Sequence, residues 1–123
     1  MAELDSYVRG VDSIELELTL TDEDGDAINT ALLYEITVEI ITKKKGIPEN
    51  DVYWTGTLTG GTVEETTPAS GVITCYIDYQ ETDDWPISLR YWARTTIEQT
   101  DADFTSGIKV SVSDEPVFRL RIA

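Results

Sequence analysis

The segment TLTDEDGDAINT, residues 19–30, holds a dense set of potential cation ligands: Asp22, Glu23, Asp24 and Asp26 surround Gly25. An EF-hand loop needs oxygen ligands at its first, third and fifth positions, glycine at the sixth and a bidentate glutamate at the twelfth. Counted from Asp22, the sixth position is Ala27 and the twelfth is Leu33, so the sharp turn and the closing ligand are both missing. A looser calcium site of loop carboxylates is the metal alternative. The simpler expectation is a tight turn, in which Asp tolerates left-handed backbone and Gly supplies positive φ.

Other reactive groups offer less. Cys75 is the only cysteine, so no internal disulfide can form, and its setting, GVITCYIDY, is that of a small packed hydrophobe. The chain has no histidine, which removes His-based nucleophile activation and the common His-based zinc and iron sites. Glu64/Glu65 and Asp83/Asp84 are neighbours in sequence. They are not a pair placed on either side of a glycosidic bond. No Gly-rich phosphate loop is present. The expectation is a protein without catalytic residues, cofactor or metal.

Five rings, Tyr53, Trp54, Trp85, Tyr91 and Trp92, could stack on sugars. Neighbours on a strand point opposite ways, so one of Tyr53/Trp54 and one of Tyr91/Trp92 should lie outside the core. A carbohydrate-binding module is therefore the alternative function.

The elements that must position these groups follow from periodicity. Residues 12–21, DSIELELTLT, alternate strictly, with Ile14, Leu16, Leu18 and Leu20 on one face. Residues 33–42 alternate with Tyr34, Ile36, Val38 and Ile40 together. Residues 51–60 and a short piece after Gly61 read as strands. In residues 71–79 the set Ile73, Cys75, Ile77 and Tyr79 should face inward. Trp85, before Pro86, plugs one end of the core. Residues 89–99 form a strand, TDAD at 100–103 is a hairpin turn, and 104–112 and 115–123 are two further strands. No segment shows a helical period. The pattern of seven to eight short strands predicts an all-β sandwich or barrel, and two stacked antiparallel sheets fit better than a closed barrel. The sandwich spans residues 11–123 as a single domain, with residues 1–10 as an arm that a partner orders.

The formal net charge is −15 over 123 residues. A polyanion is repelled by phosphate backbones and anionic lipid, so neither nucleic acid nor membrane is an expected partner. A basic partner surface, or a salty milieu, suits it. No run approaches a transmembrane length, and MAELDSYVRG lacks the basic and apolar regions of a secretion signal. The chain is expected to be made in a cytoplasm and left there, or carried out as part of something larger. Its cations cluster: Lys43, Lys44 and Lys45; Arg90 and Arg94; Arg119 and Arg121. These either guard strand edges against aggregation or dock on an acidic patch of a partner or of the next copy.

The order of the pieces carries a resemblance. A strand runs into the acidic turn LTDEDGDAIN, then INTALLYEITVEI, then ASGVITCYID and YQETDDWP, then the aromatic strand LRYWARTTIE and the turn TDADF. This order resembles the immunoglobulin-like domain of tailed-phage structural proteins, best known at the N-terminus of baseplate upper proteins. It covers residues 10–112. Thr30-Ala31 stands where Thr-Gly-Ala is usual, DADF lacks the glycine, and no fibre segment follows, so the chain reads as a freestanding relative. The family has no catalytic residues to carry over. The resemblance implies a virion protein that docks, either decorating the capsid or sitting in the tail, baseplate or neck. Its partners would be major capsid or tail and baseplate proteins, or itself as a homo-oligomer. The expected contacts are the arm, with Tyr7 and Val8 as anchors, the lysines Lys43, Lys44 and Lys45, and the last strand with Val117, Arg119 and Arg121.

Overall fold

A computed structural model describes residues 4–22, 24–43, 51–87 and 90–122. Eight strands form two sheets. The strands are β1 (Asp5–Val8), β2 (Ile14–Thr19), β3 (Leu33–Thr42), β4 (Asp51–Thr57), β5 (Val63–Thr67), β6 (Val72–Ile77), β7 (Arg90–Thr100) and β8 (Ile108–Arg121). The larger sheet runs β1-β8-β7-β3-β4 and the smaller one β2-β6-β5. All pairings are antiparallel except β1 with β8. The chain is an all-β sandwich, as alternation predicts.

The core lies between the sheets. Ile14, Leu16 and Leu18 of β2 and Ile73, Cys75 and Ile77 of β6 line one wall. Ile36, Val38 and Ile40 of β3, with Tyr91 and Ala93 of β7, line the other. The alternation of β2 therefore translates directly into one buried and one solvated face. At one end the core is aromatic. Tyr7 meets Phe118 edge-on at 5.8 Å, Phe118 stacks on Tyr91 at 5.3 Å, and Trp85 sits 5.6 Å from Tyr91 and 5.5 Å from Tyr53. Trp85 is buried there, and the Tyr91 hydroxyl donates to the Pro86 carbonyl.

Four register shifts interrupt simple alternation, one of them in β5 between Glu65 and Thr67 and three in the larger sheet. The register of β3 against β7 shifts between Leu33 and Glu35. Tyr34 is the extra residue, and it lies 65 % exposed rather than beside Ile36. Between β3 and β4 the register shifts after Ile40, which leaves Tyr53 as the extra residue. Tyr53 and Trp54 therefore both pack on the core, where alternation alone placed one of them outside. In β8 the shift falls at Val117. Residues 104–112 and 115–123, expected as two strands, are one strand from Ile108 to Arg121, because Pro116 sits beside a bulge. A bulge is one of the few places in a ladder that accepts a residue without an N–H.

Of the segment expected as an arm, residues 4–10 are described. Asp5–Val8 pairs along Phe118–Arg121 of the same chain, so this segment is ordered within the molecule and needs no partner for it. Arg9 Nη1 donates to the Trp85 carbonyl at 3.1 Å, and the Gly10 N–H donates to Thr82 Oγ1 at 3.0 Å, holding the exit from β1 against the 78–85 turns.

Candidate docking surface

The acidic segment is a turn. The carboxylate of Asp22 accepts the N–H groups of Asp24 at 2.9 Å and Asp26 at 3.0 Å, and Gly25 takes φ of 85°. One oxygen of Asp22 is thus committed to the loop's own backbone. Among the described residues, no cluster of three or more acids or cysteines is placed to hold a metal ion; Glu23 lies outside them.

Rings that could stack on a sugar are mostly spent inside. Trp54, Trp85 and Tyr91 are buried, and Tyr53 is packed on the core. Trp92 does face outward, but the Lys43 ammonium stands 4.2 Å over its ring. Cys75 is fully buried, and burial pushes its thiol up to about 12, which suits packing rather than nucleophilic attack.

What the fold leaves open is sheet edge. β8 is paired with β7 from Ile108 to Arg119, yet β1 covers only Phe118–Arg121 on its other side. The edge of β8 from Ile108 to Val117 has no strand against it among the described residues. β2, at the near end of the smaller sheet, is likewise unpaired along one side. The two lie on either side of a groove of about 740 Å³ lined by Leu20, Ile28, Ile97 and Ser111 with the charged groups Lys109 and Glu115. Burial raises the carboxyl of Glu115 above its usual range. Val110 and Val112 stand on the opposite face of β8, 56 % and 59 % exposed.

The expected contact residues divide into three groups. Val8, Arg119 and Arg121 come together, since Val8 is in register with Arg121 and Ser6 with Arg119. Arg119 and Arg121 are exposed between buried Phe118 and Leu120. Tyr7 is turned the other way, with its ring on Phe118, and packs β1 onto the core. Val117, at the bulge, is also packed against the core. Lys43 lies apart from both, salt-bridged to Asp114 at 2.9 Å; Lys44 and Lys45 lie outside the described residues.

Other members of this surface escape sequence reasoning. Asp114 ties Lys43 and Arg94 together. Val110 and Val112 are missed because the alternating run 108–112 resembles a half-buried strand, and only the layer order shows that no described strand or loop buries them. Compared with protein families, curated proteins and solved structures, the chain matches none at a significant level.

Proposed function

We propose that this chain is a structural component of a tailed-phage particle that acts by docking and performs no catalysis. The observation that carries this is the edge of β8 over Ile108–Val117, which has no strand against it among the described residues and includes exposed Val110 and Val112. An open edge offers backbone N–H and C=O groups to an extended segment of a neighbour, and its alternate side chains supply specificity. The order of turns and strands resembling the phage immunoglobulin-like domain points to the particle as the setting. The partners are then major capsid proteins, tail or baseplate proteins, or further copies of the chain. Synthesis in the host cytoplasm precedes assembly into the virion.

The test is gold labelling of purified virus particles from the source with antibody to the recombinant chain. Label over the shell makes it a capsid decoration protein; label at one end makes it a tail, baseplate or neck component. Particles free of label and free of the protein on a blot would sink the proposal. A carbohydrate-binding module would then be the reading to pursue, by titration with oligosaccharides followed through tryptophan fluorescence.

A further inference from the structure

The strand cations all lie in the larger sheet, which carries acids as well, whereas the smaller sheet carries acids alone. Strands β2, β5 and β6 carry Glu15, Glu17, Glu64 and Glu65 and not one Lys or Arg. In the larger sheet, Arg90 stands directly opposite Arg119, and Arg121 follows two residues later on the same face. Like charges directly opposite each other across a strand pair are destabilising. Elsewhere on this sheet Arg94 and Lys43 both reach Asp114, while Lys109 has no ion pair among the described residues. Arg90, Arg119 and Arg121 make no ion pair among the described residues. In a chain with 24 acids and nine bases, three adjacent exposed arginines without an acid are a conspicuous omission.

The outer face of the smaller sheet is the complement. Glu15 is in register with Tyr76, while Glu17 and Glu64 flank Thr74 from the two sides. Tyr76 is 43 % exposed and donates its hydroxyl to Glu64 Oε2 at 2.7 Å. Its ring is thus held flanked by carboxylates, an arrangement that accepts a guanidinium by ion pairing and by cation–π contact together. Spacing matches as well. Arg119/Arg121 and Glu15/Glu17 are both two-residue steps on one strand face, each about 6.6 Å.

We infer that the face bearing Arg90, Arg119 and Arg121 docks on the Glu15, Glu17, Glu64 and Tyr76 face of a second copy. The two faces lie on opposite outer surfaces of the sandwich, so the contact is heterologous and repeats head to tail, generating a ring or a filament rather than a two-fold dimer. This deepens the docking proposal by naming a partner and rests on it for its biological setting. It is independent of the β8 edge, which remains free for a different protein. The net charge of −15 opposes association at low salt, where copies repel over long distances, and high salt screens the Arg–Glu contacts. Association should therefore peak at intermediate ionic strength.

The test is sedimentation velocity of the purified full chain across a salt series, with circular dichroism as the check on folding. The wild type is expected to form species larger than a dimer near about 0.15 M salt. R119E/R121E and E15R/E17R, each alone, are expected to be folded monomers. Mixing the two variants should restore large species, because each reversed face then meets its complement. A wild type that stays monomeric at every salt and concentration would overturn the inference. So would variants that associate unchanged, or a mixture that stays monomeric. Should either reversed pair fail to fold, R119Q/R121Q and E15Q/E17Q replace them: both must weaken association, and unchanged association refutes the contact. Labelled particles with a monomeric wild type would reject the self-contact and leave the docking proposal standing. Head-to-tail species with unlabelled particles would do the reverse.

Discussion

Arg94 and Asp114 face each other in register across β7 and β8 and are joined by two parallel hydrogen bonds, Nε to Oδ1 at 2.9 Å and Nη2 to Oδ2 at 3.0 Å. Lys43 Nζ adds a third contact to the same carboxylate at 2.9 Å. The Arg94 hydrogen bonds, and then that of Lys43, outweigh burial and hold the Asp114 carboxyl below the ordinary range. A depressed carboxyl contributes stability that is present above its unfolded value, about 4, and lost as pH falls through the folded value. Asp114→Asn should therefore cost about 1 kcal/mol near neutral pH. Its Tm deficit against the wild type should shrink towards zero in acid. Taking the difference between the two proteins cancels the general relief of charge repulsion on acidification. A deficit that is constant with pH would show that the pair contributes by packing alone.

Phe118 joins the terminal strand to the core. It is fully buried, stacked on Tyr91 and touched by the edge of Tyr7. Phe118→Ala should cost about 3–5 kcal/mol in chemical denaturation. Tyr7→Ala, at a half-buried position, should cost about 1–2 kcal/mol and speed amide exchange in β1. Tyr7→Ala with wild-type stability and wild-type exchange would separate β1 from the core.

Two glycines at positive φ differ in their surroundings. At Gly71, φ 72°, a Cβ would stand 2.6 Å from the Leu20 carbonyl oxygen and 2.8 Å from that of Ile28. At Gly25, φ 85°, a Cβ would meet nothing within 4 Å. Gly25→Ala should thus cost only the left-handed backbone term, about 1 kcal/mol. Gly71→Ala adds the collision with two backbone oxygens that cannot swing away, and should cost about 3 kcal/mol. Equal losses in thermal melts would mean that the 20–28 segment moves freely away from residue 71.

Cys75 should resist thiol reagents in the native protein at mildly alkaline pH, since it is both inaccessible and held as the thiol. Modification should follow the rate of unfolding and accelerate in step with denaturant. Rapid labelling of the native chain would place the inner face of β6 in contact with solvent.

Strictly alternating segments were legible from the sequence, and β2 and β6 bury the residues that their pattern selects, but Tyr79, also expected inside, lies beyond the end of β6 and is 43 % exposed. Alternation fails at Tyr34, Tyr53 and Val117, because one extra residue shifts every later side chain and no composition marks these bulges. Residues 104–112 and 115–123 were expected as two strands, whereas β8 runs through Pro116 with a bulge beside it. Arg119 and Arg121 were recognisable as candidate contacts, whereas their neighbour Arg90, 29 residues earlier than Arg119, needs the β7·β8 register to join them. The same holds for Arg94 and Asp114, separated by 20 positions. The packing of Tyr7 on Phe118 was not legible, because a short polar strand gives no sign of which sheet will accept it.

The placement of β8 sets the timetable of synthesis. Every strand of the smaller sheet lies between Ile14 and Ile77, whereas β8, seated between β1 and β7, is the last strand described. At ribosomal speeds the apolar side of β2 and β6 is available for several seconds before its opposing wall is complete. During that interval β1 has emerged but has no strand to pair with. Docking of β3 and then β7 covers Ile14, Leu16 and Leu18 first, and only the arrival of Phe118 and Leu120 in β8 completes the aromatic end of the core.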